Sequence, residues 1–175
     1  MVPGEVEALR AIDQAARSRY RSLAGFERFA DAEPISADRF TRGTALVVTR
    51  SGRRLGFVLV QAMERLAYLA NISVLPDASG SGVGVALLKG AEGQAIAMGF
   101  QEMALATFKE PRWNGPWFRR QGYSTIPASV NNPGLMAILQ RHASFLDMST
   151  RETLWKALQG APLRVGYAAA PMKKF

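Results

Sequence analysis

The sequence contains no cysteine, which excludes disulfides and metal sites built on thiolates. Its single histidine, His142, cannot form a metal cluster by itself, so no metal partner is predicted. No apolar run approaches the roughly 18 residues that span a bilayer. Residues 1–5 also lack the charged and then apolar layout of a signal peptide. We therefore predict a cytoplasmic protein with no membrane partner.

The chain also lacks any dense block of lysine or arginine, although its net charge is +8. A basic surface favours polyanionic partners such as nucleic acid or a multiply charged phosphate cofactor. The arginines are scattered, however, and aromatic residues do not alternate with them in a stacking pattern. The pattern therefore argues against nucleic acid as a partner.

The length and composition indicate one globular domain, since 48% of the 175 residues are hydrophobic. We predict a single domain over residues 1–158. Residues 159–175 are rich in Ala, Gly and Pro, and two lysines lie near their end. This composition predicts a flexible basic tail.

Hydrophobic periodicity predicts an α+β fold of the mixed α/β type. A hairpin turning at Ser51-Gly52 precedes a strand–helix–strand crossover. Three longer helices are predicted at residues 5–23, 84–99 and 134–144. Two shorter helices are also predicted: one is capped by Ser36 and runs through Phe40, and the other runs from the N-cap Asn114 to Gly122. The predicted strands are residues 45–49, 55–60, 67–74, 103–108 and 151–158.

The most informative segment is the glycine-rich turn at residues 79–84, between an apolar strand and a helix. Such a turn exposes several backbone N–H groups at the positive end of a helix, where they form a cradle for an anion, most often a phosphate. A P-loop is ruled out, because Lys89-Gly90 has the wrong order and position. A dinucleotide fold fits poorly, since the glycines alternate and the chain is short. A plain turn with no ligand remains an alternative.

Motifs on both sides of this turn resemble the GNAT superfamily of acetyl-CoA-dependent N-acetyltransferases. The segments that carry the resemblance are Val74-Leu75-Pro76, Gly80-Ser81-Gly82-Val83-Gly84, Leu87-Leu88 and Asn114…Trp117-Phe118-Arg119-Arg120-Gln121-Gly122-Tyr123. Residues 107–118 are also similar to a bacterial subgroup with a Thr-Phe…Pro-Trp-Asn-x-Pro-Phe-Tyr signature. The resemblance covers residues 5–158. It implies a GNAT-like fold, a mostly antiparallel twisted central sheet with helices on both faces.

The resemblance also implies a binding site for acetyl-CoA as cosubstrate. Turn N–H groups would hold the pyrophosphate, strand backbone would pair with the pantetheine arm, and the helix led by Asn114 would support its end. The implied cofactor-binding residues are Ile72, Val74, Ser79, Gly80, Ser81, Gly82, Val83, Gly84, Asn114, Trp117 and Phe118. The acceptor would be an amine of a small molecule or a protein, which attacks the thioester directly.

Three features depart from the family pattern. Ser79 stands where Gln or Arg is usual. Ala70 and Asn71 occupy the positions expected for a Glu that relays a proton from the amine. Phe118 replaces a Tyr that serves many relatives as the acid for the departing thiolate. We name Asn71 and Ser73 as the catalytic candidates, with Asn71 orienting a water molecule. Weaker substitutes are the aromatic or charged residues Tyr68, Tyr123 and Glu64. Trp113 and Trp117 are more typical of packing than of an acceptor pocket, and His142 is placed on the exposed side of a late helix.

The leading hypothesis is an N-acetyltransferase, and the chief alternative is a catalytically weak acyl-CoA sensor or interaction module. A nucleic-acid-binding domain is the third. The positive charge disfavours a polycationic acceptor. Relatives usually open with a strand, whereas helix-like sequence begins here by Glu5. An exposed sheet edge would then be covered by the tail or by a second subunit, so a homodimer is also predicted.

Overall fold

The computed structural model describes residues 3–127, 132–144 and 146–158, so the predicted tail at 159–175 lies outside the described residues. The strands are β1 Thr44–Arg50, β2 Arg53–Met63, β3 Leu66–Val74, β4 Glu102–Phe108, β5 Ser124–Thr125 and β6 Arg151–Ala157. The helices are α1 Pro3–Arg17, α2 Asp38–Thr41, α3 Val83–Ala97, α4 Gly115–Arg120 and α5 Pro133–Ala143. Short 3-10 turns lie at Ser18–Ser22, Glu27–Phe29, Pro76–Ala78 and Met148–Thr150.

The six strands form one sheet in the order β1-β2-β3-β4-β6-β5. Only β3 and β4 pair in parallel, which is the pairing that a crossover through α3 produces. Every other neighbouring pair is antiparallel. The predicted mostly antiparallel sheet is confirmed.

Helices cover both faces of the sheet, as predicted. Successive residues of β2 point to opposite faces, and the two sets pack against different helices. Val58 and Val60 join α3 and α4 in the larger core, which includes Leu87 and Phe118. On the other face, Phe57 and Leu59 pack against α1 and α2, and α5 packs beside them on Tyr68 and Ala104. None of the described helices is long and apolar enough to span a membrane.

Three local predictions are wrong. The first helix ends at Arg17 and continues as a 3-10 turn, not as α-helix to residue 23. Ser36 does not cap the second helix, which begins at Asp38 after Ala37 without a side-chain cap. Asn114 precedes α4 but its side chain makes no capping bond, because both of its polar ends have distant partners. At Asn114, long-range contacts override the local preference for a cap.

A bulge in β3 separates this strand from β4. Leu59 of β2 pairs with Asn71 and Val60 pairs with Leu69, so Ala70 is the extra residue. A bulge bends a strand and disrupts the ladder locally. Beyond it, β3 and β4 stay apart, and their only paired positions are Ala67 with Met103 and Tyr68 with Ala104. The sheet therefore opens into a V at its centre.

Candidate functional site

A cleft of about 1120 Å³ occupies the opening between β3 and β4. The end of α1, the 3-10 turns that follow it, the glycine turn, α4 and the start of β6 complete its walls. The cleft brings together the strand, turn and helix that the sequence singles out. Of the predicted site residues, Ser81 and Val83 are absent from its lining.

The edge of β3 that faces the opening carries backbone groups that have no partner strand. The Leu75 N–H donates to the Leu55 carbonyl of β2, so the backbone groups of Leu75 point toward β2. Because backbone groups alternate along a strand, Ile72 and Val74 point toward the opening. The Val74 carbonyl accepts a bond from Arg19 across the opening, as this alternation requires. Ile72 has no paired residue on β4. An extended ligand can therefore pair with β3 here as an added strand does.

The glycine turn presents a set of unpaired N–H groups. Gly80 and Gly82 have φ values of +80° and +85°, which glycine adopts at low cost. Among the described residues, the N–H groups from Gly80 to Gly84 have no partner, and the first helical bond in this region is from Ala86 to Gly82. Ser79 differs, since its N–H donates to the Pro76 carbonyl. Its backbone N–H is therefore unavailable for the pyrophosphate role expected of it.

Arg19 reaches the same turn from the segment after α1. Its Nη2 lies 3.3 Å from both the Val74 carbonyl oxygen and Ser79 Oγ, and its guanidinium stacks over Trp113. The chain therefore places a cation beside the turn although Ser79 itself carries none. Burial lowers the pKa of Arg19 below its ordinary value, but an arginine remains charged near neutrality.

The Asn114 side chain connects β4 to the segment that follows α1. Its Nδ2 donates to Thr107 Oγ1 of β4, and its Oδ1 accepts from the Tyr20 hydroxyl, both at 3.0 Å. Tyr20 lies within an aromatic cluster with Phe26, Phe29, Phe108 and Trp113. Burial raises the Tyr20 pKa, so its hydroxyl stays protonated and keeps donating to Asn114.

The three predicted aromatic residues differ in exposure. Trp113 and Trp117 are half-buried and line the cleft, and Trp117 also contacts the position of Gly84. Phe118 is buried and packs on Trp117 and Tyr123. Little of Phe118 is therefore exposed to a ligand in the cleft.

A buried carboxylate, Asp13, organises the middle of the cleft. Its Oδ1 accepts from the Ser73 hydroxyl at 2.7 Å and from Asn71 Nδ2 at 3.2 Å. Its Oδ2 accepts from the Ile35 N–H at 2.8 Å and from Arg17 at 2.9 Å. Burial alone would raise the pKa of Asp13, but the Arg17 charge and these hydrogen bonds outweigh it and lower the pKa. Asp13 is therefore ionised near neutrality and holds the two predicted catalytic residues in place.

Two arginines attach to the separated strands at the same level. Arg39 Nη2 donates to the Ala70 carbonyl at 2.9 Å, and Arg151 Nη2 donates to the Ala106 carbonyl at 3.0 Å. His142 also lines the cleft and is half-buried, so its predicted place on an exposed helix face is wrong. Burial and the charges of Arg151, Arg39 and Arg141 lower its pKa to about 4.

Sequence analysis missed Asp13, Tyr20, Arg19, Arg39 and Arg151. Only Asp13 leaves a signal, since it lies four residues after Leu9 on the apolar face of α1. Two weaker candidates lie elsewhere: Glu64 is exposed in a hairpin turn, and Tyr123 is buried with its hydroxyl on Met103. No group of three or more potential metal ligands occurs among the described residues.

Solved structures share this architecture at low sequence identity. The chain matches the ribosomal-protein-S18-alanine N-acetyltransferase of Escherichia coli with a TM-score of 0.64 and 16% identity, covering 95% of this chain and 96% of that one. It matches an N-acetyltransferase of Thermoplasma acidophilum, solved with coenzyme A, with a TM-score of 0.64 and 12% identity over 90% and 95%. The N-acetylglutamate synthase of Neisseria gonorrhoeae gives 0.65 and 14% over 90% of this chain but only 34% of its own.

The sequence itself supplies the more direct evidence of kinship. A sequence model of the Acetyltransferase (GNAT) family matches residues 7–123, which is more than half of the chain. This range includes most of α1, the bulged strand β3, the glycine turn and α4. The chain belongs to the Acetyltransferase (GNAT) family.

Proposed function

We propose that the protein is an N-acetyltransferase that moves an acetyl group from acetyl-CoA to a primary amine. The observation that carries the proposal is the continuity of the open β3 edge with the unpaired N–H groups of the glycine turn. An edge that pairs with an amide-containing arm, followed by a phosphate cradle, fits the pantetheine and pyrophosphate of coenzyme A. Solved relatives that contain coenzyme A support this assignment.

The residues present fit this cosubstrate, and each part of it has a place. Ile72 and Val74 would pair with the pantetheine arm, and Gly80 to Gly84 would bind the pyrophosphate. Arg19 would add a cation to the phosphates in place of a basic side chain at position 79. Asn114, Trp117 and the small exposed part of Phe118 would support the arm from the β4 side. When bound, acetyl-CoA supplies the thioester as the acyl donor.

Asn71 and Ser73 would orient the acceptor amine. The Ser73 hydroxyl lies within hydrogen-bond distance of both Asp13 Oδ1, at 2.7 Å, and Asn71 Oδ1, at 2.9 Å, and can donate its proton to only one of them. Donation to Asp13 would leave oxygen lone pairs of Ser73 and Asn71 to accept an amine N–H. The lowered pKa of Asp13 makes it a weak base, so the network orients rather than takes up the proton. An alkylamine has a pKa near 10 and must lose a proton before attack, and water is the proposed acceptor of that proton.

Replacing Ser73 with alanine is expected to lower kcat by about 10- to 100-fold, within the range that one positioned group contributes. The KM for acetyl-CoA should stay within twofold, because Ser73 faces Asp13 and not the glycine turn. Steady-state thiol release would measure both values. A threonine variant keeps the hydroxyl and should recover much of the lost rate. An unchanged kcat in the alanine variant would show that Ser73 does not orient the acceptor amine.

Replacing Arg19 with glutamine is expected to weaken acetyl-CoA binding by about tenfold, since one charged hydrogen bond to phosphate is worth roughly 1.5 kcal/mol or more. Calorimetric titration at low ionic strength would measure the change. Arg21 is the matched control, because it pairs with Asp31 and does not line the cleft. Equal affinity of the Arg19→Gln variant and the wild type would contradict the phosphate role.

Thiol release from acetyl-CoA with a panel of primary amines tests the proposed activity itself. Amine-dependent release, with an acetylated product seen by mass spectrometry, is the expected result. Tight acetyl-CoA binding without transfer to any amine would instead favour the acyl-CoA sensor. A cytoplasmic location and a homodimer remain predictions.

A further inference from the structure

We infer that the acceptor is a small amine that also carries a carboxylate, which Arg39 and Arg151 bind between the separated strands. This inference rests on the proposed acetyl transfer and names the chemical class of its acceptor. It follows from two half-buried guanidinium groups that lack a carboxylate partner among the described residues, one of which, Arg151, stacks over the Phe108 ring.

The two arginines occupy the two walls of the opening at one level. Their acceptors, the carbonyls of Ala70 and Ala106, each lie two residues beyond the last paired positions, Tyr68 and Ala104. The separation of the strands thus frees two carbonyls, and each binds one guanidinium. Each arginine uses one N–H group for this bond, and its planar guanidinium has four more N–H donors.

Neither guanidinium has a carboxylate partner among the described residues. The ion pairs of the described chain involve other cations, and Arg151 Nε is buried without a hydrogen-bond partner there. The nearest acids are engaged: Asp13 binds Arg17, and Asp38 pairs with Arg42. Arg141 adds further positive charge close to Arg39.

Burying a cation without an opposite charge is costly, and the cost falls when an anion enters. Seven arginines line the cleft, against the two acids Asp13 and Glu33. Burial lowers the pKa of both Arg39 and Arg151, although Tyr68 and, for Arg39, the acids Asp13 and Asp38 partly oppose the shift. A carboxylate matches the free guanidinium donors in shape and in charge.

The position of the pair limits the size of the acceptor. Ala70 precedes Ile72 by two residues, which is about 7 Å along a strand. A molecule of amino-acid size can therefore hold its carboxylate at the arginines and its amine near the thioester. A polyamine would place a second cation against them and be repelled.

The test compares amines with and without a carboxylate. Glycine, β-alanine, 4-aminobutyrate, leucine and glutamate would each be assayed against the corresponding primary amide by thiol release. For at least one pair we expect a kcat/KM at least tenfold higher for the acid. An α-amide lowers the basicity of its amine and increases the reactive neutral fraction, which works against this result. Transfer to the amides at equal or higher rates throughout would overturn the inference but leave the proposed function standing.

The variants Arg39→Gln and Arg151→Gln separate recognition from folding. We expect the KM for the preferred acid to rise about 10- to 100-fold and the ratio of acid to amide use to fall toward one. The KM for acetyl-CoA should stay within twofold. Arg50→Gln is the control of equal charge change, since Arg50 is exposed and outside the cleft. A merely structural role would lower acid and amide use together, which would overturn the inference.

If no amine is acetylated, the proposed function fails, and direct binding measurements then test the carboxylate site by themselves. The acids would then be titrated calorimetrically into protein saturated with coenzyme A. The carboxylate site would still be supported if an acid binds more tightly than its amide and if the Arg151→Gln substitution abolishes that binding. No acid binding, or binding that survives in both variants, would overturn it.

Discussion

The Asp13→Ala variant is expected to lose about 3–5 kcal/mol of unfolding free energy, the usual cost of leaving one partner of a buried ion pair. The change removes the acceptor of four groups: the Arg17 guanidinium, the Ile35 N–H, the Ser73 hydroxyl and the Asn71 amide. These groups come from α1, β3 and the segment before α2. Asp13 therefore fixes the helix layer to the sheet as well as the predicted catalytic residues.

Urea denaturation followed by circular dichroism would measure this loss. Asp38→Ala is the control, because Asp38 is exposed and its ion pair with Arg42 lies on the surface, so no measurable change is expected. A loss below about 1 kcal/mol for Asp13→Ala would fall in the range of a surface pair and contradict the central role of this carboxylate.

The same variant gives a pH dependence with a definite sign. The folded-state pKa of Asp13 is lowered, so its stabilising effect is fully present above the unfolded value of about 3.9. It is lost as the pH falls through the folded-state pKa. The stability difference between wild type and Asp13→Ala should therefore be constant from pH 5 to pH 7 and shrink in more acidic buffer. A difference that grows on acidification would contradict the assignment.

The Gly82→Val variant is expected to bind acetyl-CoA about 100-fold more weakly than the wild type. Gly82 has a φ of +85°, which a β-branched residue does not adopt without strain. A valine would rotate this backbone and turn the neighbouring N–H groups away from the phosphates. Each lost hydrogen bond to a charged group costs roughly 1.5–3 kcal/mol, so one or two account for the effect.

Gly93→Val is the matched control, since Gly93 lies in α3 with its Cβ position open to solvent. Both variants would be titrated with acetyl-CoA by calorimetry after their thermal transitions are compared. We expect only Gly82→Val to lose affinity. Equal affinities would show that the turn does not hold the cosubstrate.

The turn and its flanking elements were predictable because local sequence determines them. Alternating glycines force an open turn, and apolar periods fix the strand before it and the helix after it. The family motifs added the order of the elements. Prediction was correct where neighbours in the chain decide the structure.

The acceptor side of the cleft could not be predicted in this way. Arg39 and Arg151 lie 112 positions apart and meet the site only because a bulge at Ala70 separates two strands. Asn114 illustrates the same limit: it has the composition of an N-cap, yet Tyr20 and Thr107 bind its side chain. Such contacts depend on tertiary packing, which a single sequence does not reveal.

Calorimetric titration of the purified protein with acetyl-CoA, with coenzyme A and ATP as comparisons, tests the central claim most directly. We predict micromolar binding of acetyl-CoA with a preference for the thioester, because the open β3 edge and the turn together recognise more than phosphate. ATP offers the phosphates without the pantetheine arm and should bind far more weakly. A folded protein that binds neither acetyl-CoA nor coenzyme A would contradict the assignment of this cleft.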